Sequence, residues 1–117
     1  MKITLRTECN FEAAHQLCGY NGKCSRLHGH NWKVECFVRG TTEDFDNVGI
    51  LWDFKNLKNK LEELDHQLLN EVLEINPTAE QLAVWLTEEF SKAHPKLMFR
   101  IRVWENDKSY AETGEFI

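Results

Sequence analysis

The chain has 117 residues, 42% of them hydrophobic, and a formal charge of -5, enough apolar material for one domain with an ordinary core. Charges of both signs alternate rather than gather in blocks, which argues against a nucleic-acid partner or an acidic membrane surface, and no apolar run approaches the roughly 20 residues that span a bilayer. With no apolar leader at the N-terminus, the expectation is a cytoplasmic protein whose Cys9, Cys18, Cys24 and Cys36 are reduced thiols.

From Lys2 to about Leu17 short alternation of Ile3, Leu5 and Phe11 with polar residues reads as a half-buried strand. The segment Cys18-Gly19-Tyr20-Asn21-Gly22-Lys23 has turn chemistry and puts Cys24 on a loop leading into a second strand, which carries His28, His30 and the alternation Trp32, Val34, Cys36, Val38. Asp53 is a suitable cap for a helix whose stripe is Phe54, Leu57, Leu61, Leu64 and Leu68. Thr78 with Gln81 forms a capping-box pattern for a second helix with the stripe Ala79, Leu82, Ala83, Leu86 and Phe90, ended at His94-Pro95. Leu97 to Trp104 and Ser109 to Phe116 read as a closing hairpin around Asn106-Asp107-Lys108. The order ββααββ makes an α+β fold, an antiparallel sheet with two helices on one face, whose outer strands invite association through their edges.

Three histidines carry the chemistry. Alternate side chains of a strand share a face, so His28 and His30 can converge on one ion, and His15 joins them if its strand pairs alongside, which spacing alone does not fix. That is a three-histidine zinc site with an open position. Cys24 beside it is either a fourth ligand that closes the site or a thiolate base that leaves it open. Asp65-His66 is weaker, because adjacent side chains on a helix diverge by about 100°. Glu105, between strand neighbours, can accept two parallel N–H bonds from a planar guanidine-like edge if it faces a pocket.

Together, Phe11-Glu12-Ala13-Ala14-His15, Cys24-Ser25-Arg26-Leu27-His28-Gly29-His30-Asn31, Gly49-Ile50-Leu51-Trp52-Asp53-Phe54, Leu64-Asp65-His66, Asn76-Pro77-Thr78-Ala79-Glu80 and Glu105 resemble the 6-pyruvoyltetrahydropterin synthase and 6-carboxytetrahydropterin synthase family over nearly the whole chain. The resemblance implies the tunnelling fold (T-fold), in which ββααββ subunits join a β-barrel as trimers and two trimers stack as a homohexamer. It implies zinc on His15, His28 and His30, Cys24 as base, and Asp65 and His66 as a proton-handling pair. Glu105 would anchor the pterin ring, with Thr78 and Glu80 near it, at sites between subunits.

The spacing Cys-x3-His-x-His is similar to the carboxy branch of the family, in the queuosine pathway, whereas the pyruvoyl branch usually holds two more residues there. The implied reaction converts 7,8-dihydroneopterin triphosphate to 6-carboxy-5,6,7,8-tetrahydropterin, acetaldehyde and triphosphate. The rivals are the pyruvoyl reaction, which eliminates triphosphate from the same substrate, and a non-catalytic zinc-binding module closed by Cys24. Asn106 stands where the family commonly has threonine after its anchoring glutamate.

Overall fold

The computed structural model describes residues 1–17, 19 and 26–114. Two long antiparallel strands, β1 (Lys2–His15) and β2 (His28–Thr41), pair along their whole length, from Lys2 opposite Thr41 to His15 opposite His28. Alternation sends Phe11, Ala13 and His15 of β1, and Trp32, Val34, Cys36 and Val38 of β2, to one buried face.

The apolar stripe from Phe54 to Leu68 predicts a single helix, and the structure divides that stretch. Helix α1 spans Lys55–Glu62, and the Asp53 carboxylate accepts the Lys55 amide at 2.9 Å just before it. The chain then turns at Glu63–His66, and Gln67–Leu68 forms a two-residue strand, β3, parallel to Ala13–Ala14 of β1. The sheet is therefore mixed, a correction to the all-antiparallel expectation. Leu64 remains 1% exposed although it lies outside the helix. Full burial of a leucine is worth roughly 1.5–3 kcal/mol, so the core gains as much from a turn as from another helical turn.

A short helix, α2 (Leu69–Val72), buries Leu69 and leads to the long helix α3 (Ala79–Ala93). The Thr78 hydroxyl oxygen accepts the Gln81 amide at 3.0 Å, and the residues α3 buries are Ala79, Leu82, Ala83, Leu86 and Phe90, the stripe read from the sequence. Strand β4 (Met98–Trp104) pairs with β2, and β5 (Tyr110–Glu112) folds back on β4. β5 is shorter than the Ser109–Phe116 expectation. Gly114 turns the chain away at φ 83°, where a Cβ would meet the Phe99 carbonyl oxygen at 2.9 Å, and residues 115–117 lie outside the description.

The strand order is β3-β1-β2-β4-β5. Helical Leu57, Leu61, Leu82 and Leu86 share one core with Trp32, Val34, Ile101 and Val103, so the helices cover one face. On the other face Glu35, only 5% exposed, receives the Trp104 indole N–H at 2.6 Å and the Arg6 guanidinium at 2.8 and 3.1 Å. Cys9 and Cys36 are free thiols, and burial pushes the Cys36 thiol up to about 12. Among the described residues no helix is long and apolar enough to cross a membrane.

Candidate metal centre

The register of β1 on β2 sets His15 opposite His28 and Ala13 opposite His30, which gathers the histidines at one end of the buried face. Their ring centroids lie 4.5 Å (His15 to His28), 5.0 Å (His15 to His30) and 4.6 Å (His28 to His30) apart. Trp32 separates them from the leucine core. Its ring lies 5.0 Å from that of His15 and 5.3 Å from that of His30, and its indole N–H donates to the Ala13 carbonyl at 3.2 Å.

Two backbone carbonyls decide which ring nitrogens carry protons. His15 Nδ1 faces the Pro77 carbonyl and His28 Nδ1 faces the Arg26 carbonyl, each at 2.7 Å. A carbonyl only accepts, so both Nδ1 atoms donate, and the two Nε2 atoms confront one another at 3.0 Å. Burial pushes His15 and His30 below the ordinary imidazole value, with neighbouring imidazoles lowering them further. A second proton on the buried His15 ring is thus disfavoured, which leaves its Nε2 lone pair available to a ligand.

The donor set fits a metal. His15, His28, His30 and Glu105 each offer one ligand atom, all within 4.8 Å of one another. Ligands about 2.1 Å from a tetrahedral ion stand roughly 3.4 Å apart, near the 3.0 Å between His15 and His28 Nε2 and the 3.1 Å between His30 Nε2 and Glu105 Oε1. The Pro77 and Arg26 carbonyls fix the rings as outer partners of a metal site do.

Glu105 enters this cluster from the residue after β4. Its Oε1 lies 3.1 Å from His30 Nε2, yet that nitrogen is buried and makes no hydrogen bond. The two atoms approach closely without hydrogen-bond alignment, so no ring proton joins them. Glu105 also lines a pocket of about 440 Å³ with Ala79, Glu80, Ser109, Tyr110 and Ala111, so the expected pair Glu80 and Glu105 meets in one cavity. Thr78 is committed at the α3 N-terminus as its cap. Asn106, the departure from the family pattern, braces the hairpin loop by accepting the Lys108 and Ser109 amides at 2.8 and 3.0 Å.

Asp65 and His66 touch, contrary to the helix-based expectation, because the chain has left helical geometry there. His66 Nδ1 lies 3.0 Å from Asp65 Oδ2, and its Nε2 lies 3.6 Å from Glu12 Oε2. Asp65 Oδ1 accepts the Glu12 amide at 2.9 Å. This N–H, with the other hydrogen bonds around it, holds the Asp65 carboxyl below its usual value. His66, Glu12 and His30 line a second pocket of about 580 Å³. Cys24 lies outside the described residues. Sequence reasoning missed Pro77, Trp32 and Glu12, although each stands inside or next to a quoted motif.

Residues 4–115 match the family model described as 6-pyruvoyl tetrahydropterin synthase. The chain is similar to the 6-carboxy-5,6,7,8-tetrahydropterin synthase of Synechocystis sp., with 36% identity over 114 residues that cover 89% of this chain and 87% of the relative. It is also similar to the dihydroneopterin monophosphate aldolase of Pyrococcus furiosus, with 33% identity over 115 residues covering 92% of this chain and 94% of the relative. In three dimensions it is similar to the 6-pyruvoyl tetrahydropterin synthase of Caenorhabditis elegans, with a TM-score of 0.78 over 99% of this chain and 97% of that one. At 23% identity the last likeness bears on the fold alone, the tunnelling fold.

Proposed function

The chain belongs to the 6-pyruvoyl tetrahydropterin synthase family, and on that premise we propose a single-domain, zinc-dependent lyase converting 7,8-dihydroneopterin triphosphate and water to 6-carboxy-5,6,7,8-tetrahydropterin, acetaldehyde and triphosphate in queuosine biosynthesis. The observation that carries this reading is the convergence of His15, His28 and His30 beside the pocket bordered by Glu80 and Glu105. The spacing from Cys24 to His28 favours the carboxy branch, as does the Synechocystis relative.

His15, His28 and His30 would hold the ion, and carbonyls fix the Nδ1 atoms of His15 and His28 on the far side of their rings. When bound there, zinc supplies a Lewis acid that lowers the cost of negative charge on the substrate's side-chain oxygens. Glu105, with Glu80 and Thr78 nearby, orients the ring by accepting two parallel N–H bonds from its guanidine-like edge. Cys24 removes a proton as thiolate. Asp65 holds His66 at Nδ1 and leaves Nε2 to give or take a second proton. We place that pair in the site of a neighbouring subunit, in a cytoplasmic hexamer of two barrel-forming trimers. The β1 edge supports this, since from Lys2 to Asn10 it has no second strand partner among the described residues.

Incubation of purified protein with 7,8-dihydroneopterin triphosphate tests the reading. Acetaldehyde and 6-carboxytetrahydropterin are expected. A pyruvoyl product without acetaldehyde would assign the pyruvoyl reaction instead, and turnover of dihydroneopterin monophosphate alone would align the chain with its P. furiosus relative. Cys24→Ala separates catalysis from a closed zinc module: a catalytic thiol costs turnover with zinc retained, whereas a structural ligand costs zinc and folding.

A further inference from the structure

We propose that Glu105 serves two partners in turn: in the substrate-free protein its carboxylate is the fourth ligand of the metal held by His15, His28 and His30, and the incoming pterin ring draws it away. The coordination position would then open only when a ring is seated. This rests on the zinc and pterin reading above.

Three observations carry it. Glu105 supplies an oxygen to the same 4.8 Å cluster as the three imidazole nitrogens. Its 3.1 Å approach to His30 Nε2 lacks hydrogen-bond geometry and is the kind of approach that two ligands of one cation make. The same side chain borders the pocket lined by Glu80 and Tyr110. Each carboxylate oxygen keeps a spare lone pair when it accepts one N–H, so the roles are separated by position: a carboxylate turned into the pocket to clamp a guanidine-like edge with both oxygens is carried away from the ion.

The backbone suits a side-chain movement. Glu105 donates its amide to the Ser109 carbonyl at 3.2 Å, and Asn106 ties down the rest of the loop, so the main chain is braced. The Glu105 side chain is 27% exposed, which leaves it space to turn between ion and pocket. Recognition of the ring and exposure of the reactive position would thus be one event, sparing the site from binding stray anions at rest.

Metal-free protein loaded with cobalt(II) tests the proposal without measuring turnover. Glu105→Ala is expected to weaken cobalt binding at least tenfold, roughly the lower bound for losing even an outer-sphere partner. Glu8→Gln, a charge change on the opposite face, is expected to leave it unchanged. Azide should shift the visible cobalt spectrum of Glu105→Ala and not that of the wild type. Neopterin, at concentrations where its fluorescence reports binding, should move the wild-type spectrum. Equal affinity and spectra for wild type and Glu105→Ala would overturn the proposal, as would a wild-type spectrum that bound neopterin leaves unmoved. An intense thiolate-to-cobalt band that survives Glu105→Ala would give the position to Cys24 and also overturn it. A wild type that takes up no cobalt would overturn the zinc reading together with the proposal.

Discussion

His66 donates its backbone N–H to the Glu12 carbonyl at 2.6 Å, and it does so from the left-handed region, at φ 59°. A side chain there costs about 1–2 kcal/mol that glycine avoids. The imidazole therefore sits where glycine would fold better. His66→Gly is expected to stabilise the fold by about 1 kcal/mol, raising the melting temperature by about 4 °C. Turnover of dihydroneopterin triphosphate should fall by roughly 10²–10⁴, the range for losing a general acid or base. A variant that gains stability and keeps full turnover would show that the imidazole has no part in the reaction.

Asp65 serves β1 with one oxygen and His66 with the other. In Asp65→Asn the remaining carbonyl oxygen can still accept the Glu12 amide, so the fold should melt within about 1 kcal/mol of wild type. The new NH2 group would meet His66 Nδ1 as a donor and force the opposite tautomer. The maximal rate should drop about 10²-fold or more with little change in KM, as seen by steady-state kinetics on the triphosphate. Loss of stability equal to that of Asp65→Ala would assign the residue to the turn alone.

Strands β1 and β2, the stripe of α3 and the convergence of the histidines were legible because each follows from local periodicity and one antiparallel pairing. The end of α1 was not. Leu64 and Leu68 continue a three-and-four spacing whether the chain stays helical or turns and adds a strand, so apolar pattern alone does not tell them apart. The same error made Asp65 and His66 look divergent. Glu105 became a neighbour of His30 through the pairing of β4 with β2, a contact between residues far apart in sequence that composition does not encode. Pro77 read as a helix-entry residue, and only the packed structure turns its carbonyl onto His15.

His15 and His28 differ in burial, and this separates structural from metal effects. His15 is fully buried and holds the Pro77 carbonyl, whereas His28 is half-buried. In metal-free protein His15→Ala is expected to cost about 2–4 kcal/mol, from its cavity and the orphaned carbonyl, and His28→Ala less than about half of that. Zinc at a hundredfold excess over its Kd should add about 2.7 kcal/mol to the wild type. Either variant should lose most of that increment. Urea unfolding with zinc and with a chelator gives all of these numbers, and a wild type indifferent to both would remove the metal from the account.

Glu35 makes the fold acid-sensitive from the side opposite the histidines. Burial raises its carboxyl, but the Trp104 indole and the Arg6 and Arg102 guanidinium groups outweigh burial and hold it below the ordinary value. A depressed carboxyl contributes stability that is fully present above its unfolded pKa, about 4.3, and is lost as pH falls through the lower folded value. Glu35→Gln should therefore be less stable than wild type at pH 7 by about 1.5–3 kcal/mol, the worth of hydrogen bonds to a charged group. The difference should shrink as pH falls below about 4.3 and vanish once the wild-type carboxyl is protonated. Urea midpoints of both proteins over a descending pH series test this. A gap that stays constant with pH would mean that the variant suffers from packing and that the carboxylate charge contributes nothing.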